Sequence, residues 1–169
     1  MLVGPPGWVN GSAELLTPHP DYYTSILWRQ LVGRVVLDTT TTGDATLRAA
    51  FDGSFWCASA RSPYGVGSVV LAWTNSGTQP ITLTLPADLA AVASTRFVLA
   101  ATADGTTPVA SLTSDDMYLN GNLLTVTAEG SLPEYPLPGV ESPPQTPVIA
   151  PARTYGFIAF SATVPACVA

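Results

Sequence analysis

The sequence contains no lysine: its six basic side chains are all arginine, and charged residues of either sign make up only 11% of the 169 positions. With twelve acidic residues the formal net charge is −6. Nucleic acids and anionic membranes are bound through clustered cations that displace counterions, so this balance argues against both as partners. It also fits poorly with a sulfated polysaccharide. No apolar run approaches the roughly 20 residues that a membrane-spanning helix needs, and no transmembrane segment is expected. Histidine occurs once, at His19, and cysteine twice, at Cys57 and Cys167. Zinc sites draw about four ligands, set in close pairs, so no metal site is expected, nor any cofactor. There is no Gly-x-Ser-x-Gly elbow, and the one histidine precedes a helix-starting proline, which leaves no serine-nucleophile machinery. The opening Met1-Leu2-Val3-Gly4-Pro5-Pro6 lacks the basic start and long apolar core of a signal peptide. A secretory signal, if the protein is exported, is expected upstream of Met1.

What the chain does have is apolar content and turn residues. Hydrophobic residues are 47% of it and its mean hydropathy is positive, which excludes a disordered chain, while 16 prolines and 14 glycines imply many turns. The length suits one domain with a real core, with room for a short remnant of a second. A disulfide between the two cysteines is the better reading of their isolation, with two buried free thiols as the alternative. A bridge closing a loop of about 100 residues contributes on the order of 4–5 kcal/mol in the chain-entropy model, and it implies an oxidising compartment.

Residues 1–19 read as irregular, with turn chemistry at Gly4-Pro5-Pro6-Gly7 and extended backbone forced by Thr17-Pro18-His19-Pro20. From Pro20 to Val32 apolar Tyr23, Ile26, Leu27 and Leu31 recur at three- and four-residue spacing. Pro20 and Asp21 suit a first turn and Gly33 a C′ position, which predicts an amphipathic helix. Thereafter short β-branched and aromatic runs are bounded by turn residues: Val35–Leu37, Thr46–Phe51, Phe55–Ser59, Val69–Thr74, Ile81–Leu85, Arg96–Ala101, Leu123–Thr127 and Tyr155–Ser161. These predict an all-β fold, a sandwich of about eight strands behind one helix. In Ile81-Thr82-Leu83-Thr84-Leu85 the alternation places apolar side chains inward and threonines toward water. The proline-rich stretch from Leu132 to Pro151 reads as a stiff loop crossing between sheets, with a polyproline ligand as the alternative.

Three strings carry a family resemblance. Thr17-Pro18-His19-Pro20-Asp21-Tyr22-Tyr23-Thr24-Ser25-Ile26-Leu27-Trp28-Arg29-Gln30-Leu31-Val32-Gly33 resembles the last barrel helix of heparanase-like proteins of glycoside hydrolase family 79. Met117-Tyr118-Leu119-Asn120-Gly121-Asn122-Leu123-Leu124 is similar to that family's Leu-Asn-Gly segment, and Val164-Pro165-Ala166-Cys167 to the Ala-Cys ending of its plant-type members. The resemblance implies that residues 1–33 are the end of a (β/α)8 catalytic barrel, comprising the loop after strand eight and the last helix. Residues 34–169 would then be the C-terminal β-sandwich. It also implies a Cys57–Cys167 disulfide, since the family joins a cysteine of an early strand to one near the C-terminus.

The implied activity is hydrolysis of O-glycosyl bonds by a retaining β-glucuronidase or heparanase-like enzyme. Two carboxyls about 5–5.5 Å apart do that chemistry, one protonating the leaving oxygen and one attacking the sugar. In the family both are glutamates of earlier barrel strands, so no catalytic residue is expected in this chain. Glu14, Asp115, Asp116, Glu129 and Glu134 read as solvated surface carboxylates. The opening loop would border the sugar pocket, which makes Gly7 and Trp8 the candidate substrate-binding residues. Here Gly4-Pro5-Pro6-Gly7-Trp8-Val9-Asn10 stands where the family has Gly-Gly/Ala-Asn-Tyr-Gly. Trp8 could replace the tyrosine as an aromatic platform, while the prolines remove amide donors. Asn10-Gly11-Ser12 is the one N-glycosylation sequon.

The expected partners are a glucuronide-containing polysaccharide or glycoside and the N-terminal catalytic barrel of the same protein. The expected location is secreted or extracellular, at the cell wall or membrane-associated, or in the lysosome or vacuole. The alternative is a non-catalytic carbohydrate-binding or adhesion-type β-sandwich. The helix is expected to separate the two readings, because a free sandwich would leave its apolar face exposed.

Overall fold

In the computed structural model, residues 20–40, 49–103, 116–125 and 135–168 are described. The helix α1 (Pro20–Leu31) forms where the three-four spacing predicts it, with Asp21 in its first turn and Arg29 in its last, each matched to the helix dipole. Its buried stripe is Tyr23, Leu27, Gln30 and Leu31. No turn follows. The chain passes directly into β1 (Val32–Val36), so Gly33 is not a left-handed cap. Its place is fixed by close approach: a Cβ there would lie 2.6 Å from the Cys57 carbonyl oxygen and 2.9 Å from that of Ala58, both on the next strand.

The remaining elements are β2 (Phe51–Ala58), β3 (Val69–Asn75), β4 (Ile81–Leu83), the single turn α2 (Ala87–Ala90), β5 (Ser94–Ala100), β6 (Tyr118–Leu119), β7 (Asn122–Leu123), β8 (Val140–Ser142), β9 (Val148–Ala150), β10 (Thr154–Phe160) and a 3-10 turn at Pro165–Cys167. The fold is all-β and sandwich-like, with ten strands among the described residues. The main sheet runs β1-β2-β3-β10-β5-β6-β7, with β8 also on β5, and β4 and β9 make a separate two-stranded ribbon. Every pairing is antiparallel.

Strand alternation sends side chains of the main sheet into two cores. On one face Val70, Ala72, Phe97, Leu99, Phe157 and Ala159 pack under Tyr23, Leu27 and Leu31 of α1. On the other Phe51, Leu71, Trp73, Ile158 and Phe160 meet Ile81 of β4, Leu89 of α2, and Val148 and Ala150 of β9. Each large side chain so buried contributes about 1.5–3 kcal/mol. Asn75 ties the layers together. Its Nδ2 donates to the carbonyls of Gln79, Ala150 and Pro151, each at 3.0 Å, and its Oδ1 accepts from the Gly77 amide at 3.0 Å. At the centre of the sheet the Trp73 ring lies against Gly156, where a Cβ would come within 1.9 Å of it.

Several elements differ from expectation. Phe51–Ala58 is one continuous strand, not the tail of one and the whole of another, because Gly53 lies in the ladder opposite Trp73 without breaking it. The proline-rich stretch is not loop throughout: β8 extends the edge of β5, and Val148-Ile149-Ala150 pairs with β4 between Pro147 and Pro151, outside which proline's missing amide costs the ladder nothing. The alternation at Ile81–Leu85 holds, with both threonines exposed, although the strand itself stops at Leu83. The helix's apolar face is covered by this chain's own sheet, and its outward residues Asp21, Ser25 and Arg29 are polar and exposed. The helix therefore does not separate the two readings as expected.

Candidate functional site

The residues expected to touch substrate or carry a glycan, Gly7, Trp8 and Asn10, lie outside the described residues, as do Glu14, His19, Asp115, Glu129 and Glu134. The two cysteines are described, and they are joined. Cys57 of β2 and Cys167 of the 3-10 turn form a disulfide across 110 positions, with Cα atoms 5.2 Å apart. The turn reaches β2 because the preceding segment is pinned: the Val164 amide donates to the Gly67 carbonyl at 2.9 Å. Gly67 has φ +89°, and Thr163 and Val168 crowd the space its side chain would fill.

The chemistry of a retaining pair can be tested on the strands themselves. Asp52 of β2 and Glu141 of β8 are the carboxyls that the sheet ladders hold in place. Between β2 and β8 lie β3, β10 and β5, four interstrand steps or roughly 19 Å. A retaining pair needs about 5–5.5 Å, so these two cannot act together. Among the described residues no group of three or more His, Cys, Asp or Glu side chains could hold a metal, and no helix is long and apolar enough to cross a membrane.

What the structure does assemble is an aromatic strip on the helix side of the main sheet. Trp28 breaks the polar outer face of α1 and leaves 41% of its surface to water. Its ring stands edge-on to Trp56 of β2 at 5.3 Å and to Phe157 of β10 at 6.1 Å, with interplanar angles of 72° and 74°. Trp56 is itself held, its Nε1 donating to Ser54 Oγ at 2.8 Å. The register places Ser54, Ala72 and Phe157 in one row across β2, β3 and β10, and Asp52, Thr74 and Tyr155 in the next row on the same face, about 7 Å further along. Asp52 is exposed, Thr74 half-buried, and Tyr155 42% exposed. Sequence reasoning missed this strip, whose parts come from four separate elements. The signals that could have found it were an indole on an otherwise polar helix face and the alternation Asp52-Ser54-Trp56.

Two phenols on this side are perturbed. Burial, helped by the neighbouring Tyr22, raises the pKa of Tyr23, whose hydroxyl donates to the Leu124 carbonyl at 3.3 Å. Burial also raises that of Tyr64, aided by the negative charge of Glu141 and opposed by a hydrogen bond with Thr95.

The geometry defines a class: an antiparallel β-sandwich closed by a long-range disulfide, with no acid–base pair on its ladders among the described residues. No protein-family model matches the chain. Over 33 residues, 20% of its length, it is 52% identical to Heparanase-like protein 3 of Arabidopsis thaliana. The matched stretch spans 6% of that protein, so the similarity to a heparanase-like protein is local.

Proposed function

We propose that this chain is the C-terminal portion of a secreted, plant-type heparanase-like glycoside hydrolase of family 79, whose β-sandwich supports a catalytic barrel acting on glucuronic-acid-containing glycans. In this reading residues 1–33 close the barrel and residues 34–169 form the sandwich. The observation that carries it is the Cys57–Cys167 bridge, which joins the two positions that the family resemblance pairs. The local identity to Heparanase-like protein 3 supports it. The catalytic glutamates then lie upstream of Met1, and the chain alone is inactive.

The test has two parts. Transcript sequence upstream of Met1 should encode a barrel with two strand-end glutamates, and the 169-residue chain should release nothing from an aryl β-glucuronide. Turnover by the isolated chain that Glu129→Gln or Glu134→Gln abolishes would overturn the proposal. A second reading, a carbohydrate-binding module acting without a barrel, is favoured by one observation: the apolar face of α1 is already covered within the chain.

A further inference from the structure

The strip around Trp28 goes beyond the hydrolase reading and does not depend on it. We infer that Trp28 and Tyr155, with Asp52, Ser54 and Thr74 beside them, form a binding site for a neutral oligosaccharide of linked pyranose rings.

Three observations carry this. The first is order: Trp28 is held between Trp56 and Phe157, and Phe157 is only 2% exposed. A ring fixed before binding loses little conformational freedom on contact, so its exposed surface serves as a ready platform. Sugars present C–H faces that stack on aromatic rings, and Trp and Tyr add a polar edge to that surface. The second is arrangement. Tyr155 lies one same-face step before Phe157 on β10, and Trp28 stands against Phe157, so two partly exposed rings flank this position and can meet neighbouring sugars of a chain. Thr74 stands between Asp52 and Tyr155 in the ladder, and its hydroxyl and the Asp52 carboxylate give acceptors for sugar hydroxyls. The third is charge. Asp52 is the one carboxylate in the strip's rows, no arginine belongs to them, and the chain carries a net −6. Uronate or sulfate groups would be repelled here, which selects an uncharged glycan.

The experiment is an NMR titration of the 169-residue chain, following the Trp28 and Tyr155 ring signals with cellohexaose, a β-linked galactohexaose and an acidic hexagalacturonide. The neutral chains should shift both residues, and the acidic one should bind at least about tenfold more weakly. Trp28→Ala and Tyr155→Ala should each lower neutral-sugar affinity at least about tenfold, with Trp28→Tyr restoring most of it. Tyr155→Ala alters an exposed residue and keeps the test informative where Trp28→Ala fails to fold. Four results would each overturn the site: no neutral oligosaccharide moves these signals, Tyr155→Ala binds like the parent chain, hexagalacturonide binds as tightly as cellohexaose, or dilution shows that a second copy of the chain covers the strip.

Discussion

Gln30 of α1 and Leu137 of the proline-rich segment exchange two buried hydrogen bonds. The side-chain Nε2 donates to the Leu137 carbonyl at 3.0 Å, and the Leu137 amide donates to Oε1 at 2.9 Å. One amide side chain thus does for Leu137 what a neighbouring strand would do, and it fastens the helix to a segment 107 positions away.

Replacing it should be expensive. Gln30→Leu keeps the bulk but strands a donor and an acceptor out of water, each costing about 1–3 kcal/mol. A total loss of roughly 2–4 kcal/mol is expected, read as a lower denaturation midpoint with unchanged slope in urea. A change below about 0.5 kcal/mol would mean that Leu137 finds other partners.

The bridge from Cys57 to Cys167 should appear as one cross-linked peptide in non-reducing mass analysis of protein from an oxidising host. Replacing both cysteines with serine should cost on the order of 3–5 kcal/mol, most of it through the freed unfolded chain. Two freely alkylated thiols in such protein would count against the pairing.

Gly156 faces the Trp73 ring with no room for a methyl group. Gly156→Ala should destabilise by roughly 1–3 kcal/mol, the usual cost of overpacking, and should shift Trp73 fluorescence as the ring is displaced. Unchanged emission and stability would show that the ring moves aside freely.

Tyr23 links stability to alkaline pH. Its folded pKa is raised from 10.0, chiefly by burial, so above pH 10 the unfolded chain loses this proton more readily than the folded one. Its contribution is full below pH 10 and is lost as pH rises through the folded value. Tyr23→Phe should flatten the fall in stability over that window, measured by urea titration at fixed pH steps; an unchanged slope would remove Tyr23 as its source.

Much of the fold was legible in the residues. Periodicity placed α1 because Tyr23, Leu27 and Leu31 obey it, and β3, β5 and β10 stand out because each carries a mostly buried run of apolar and β-branched residues. The short strands β8 and β9 were hidden by the prolines around them, since their pairing depends on partners distant in sequence. Gly33 reads as a cap locally, and only the approach of β2 reveals its role. The aromatic strip is harder still to read. Trp28, Trp56 and Tyr155 carry no common motif, and tertiary register alone brings them together.

That register has one more consequence. β10 is the last strand among the described residues, yet it lies in the middle of the sheet between β3 and β5. Until Thr154–Phe160 is synthesised, those two strands face each other across a gap with unpaired edges, open to pairing with other molecules. A stop codon just before Thr154 would therefore be as harmful as one far upstream, because it removes the strand on which both halves of the sheet close.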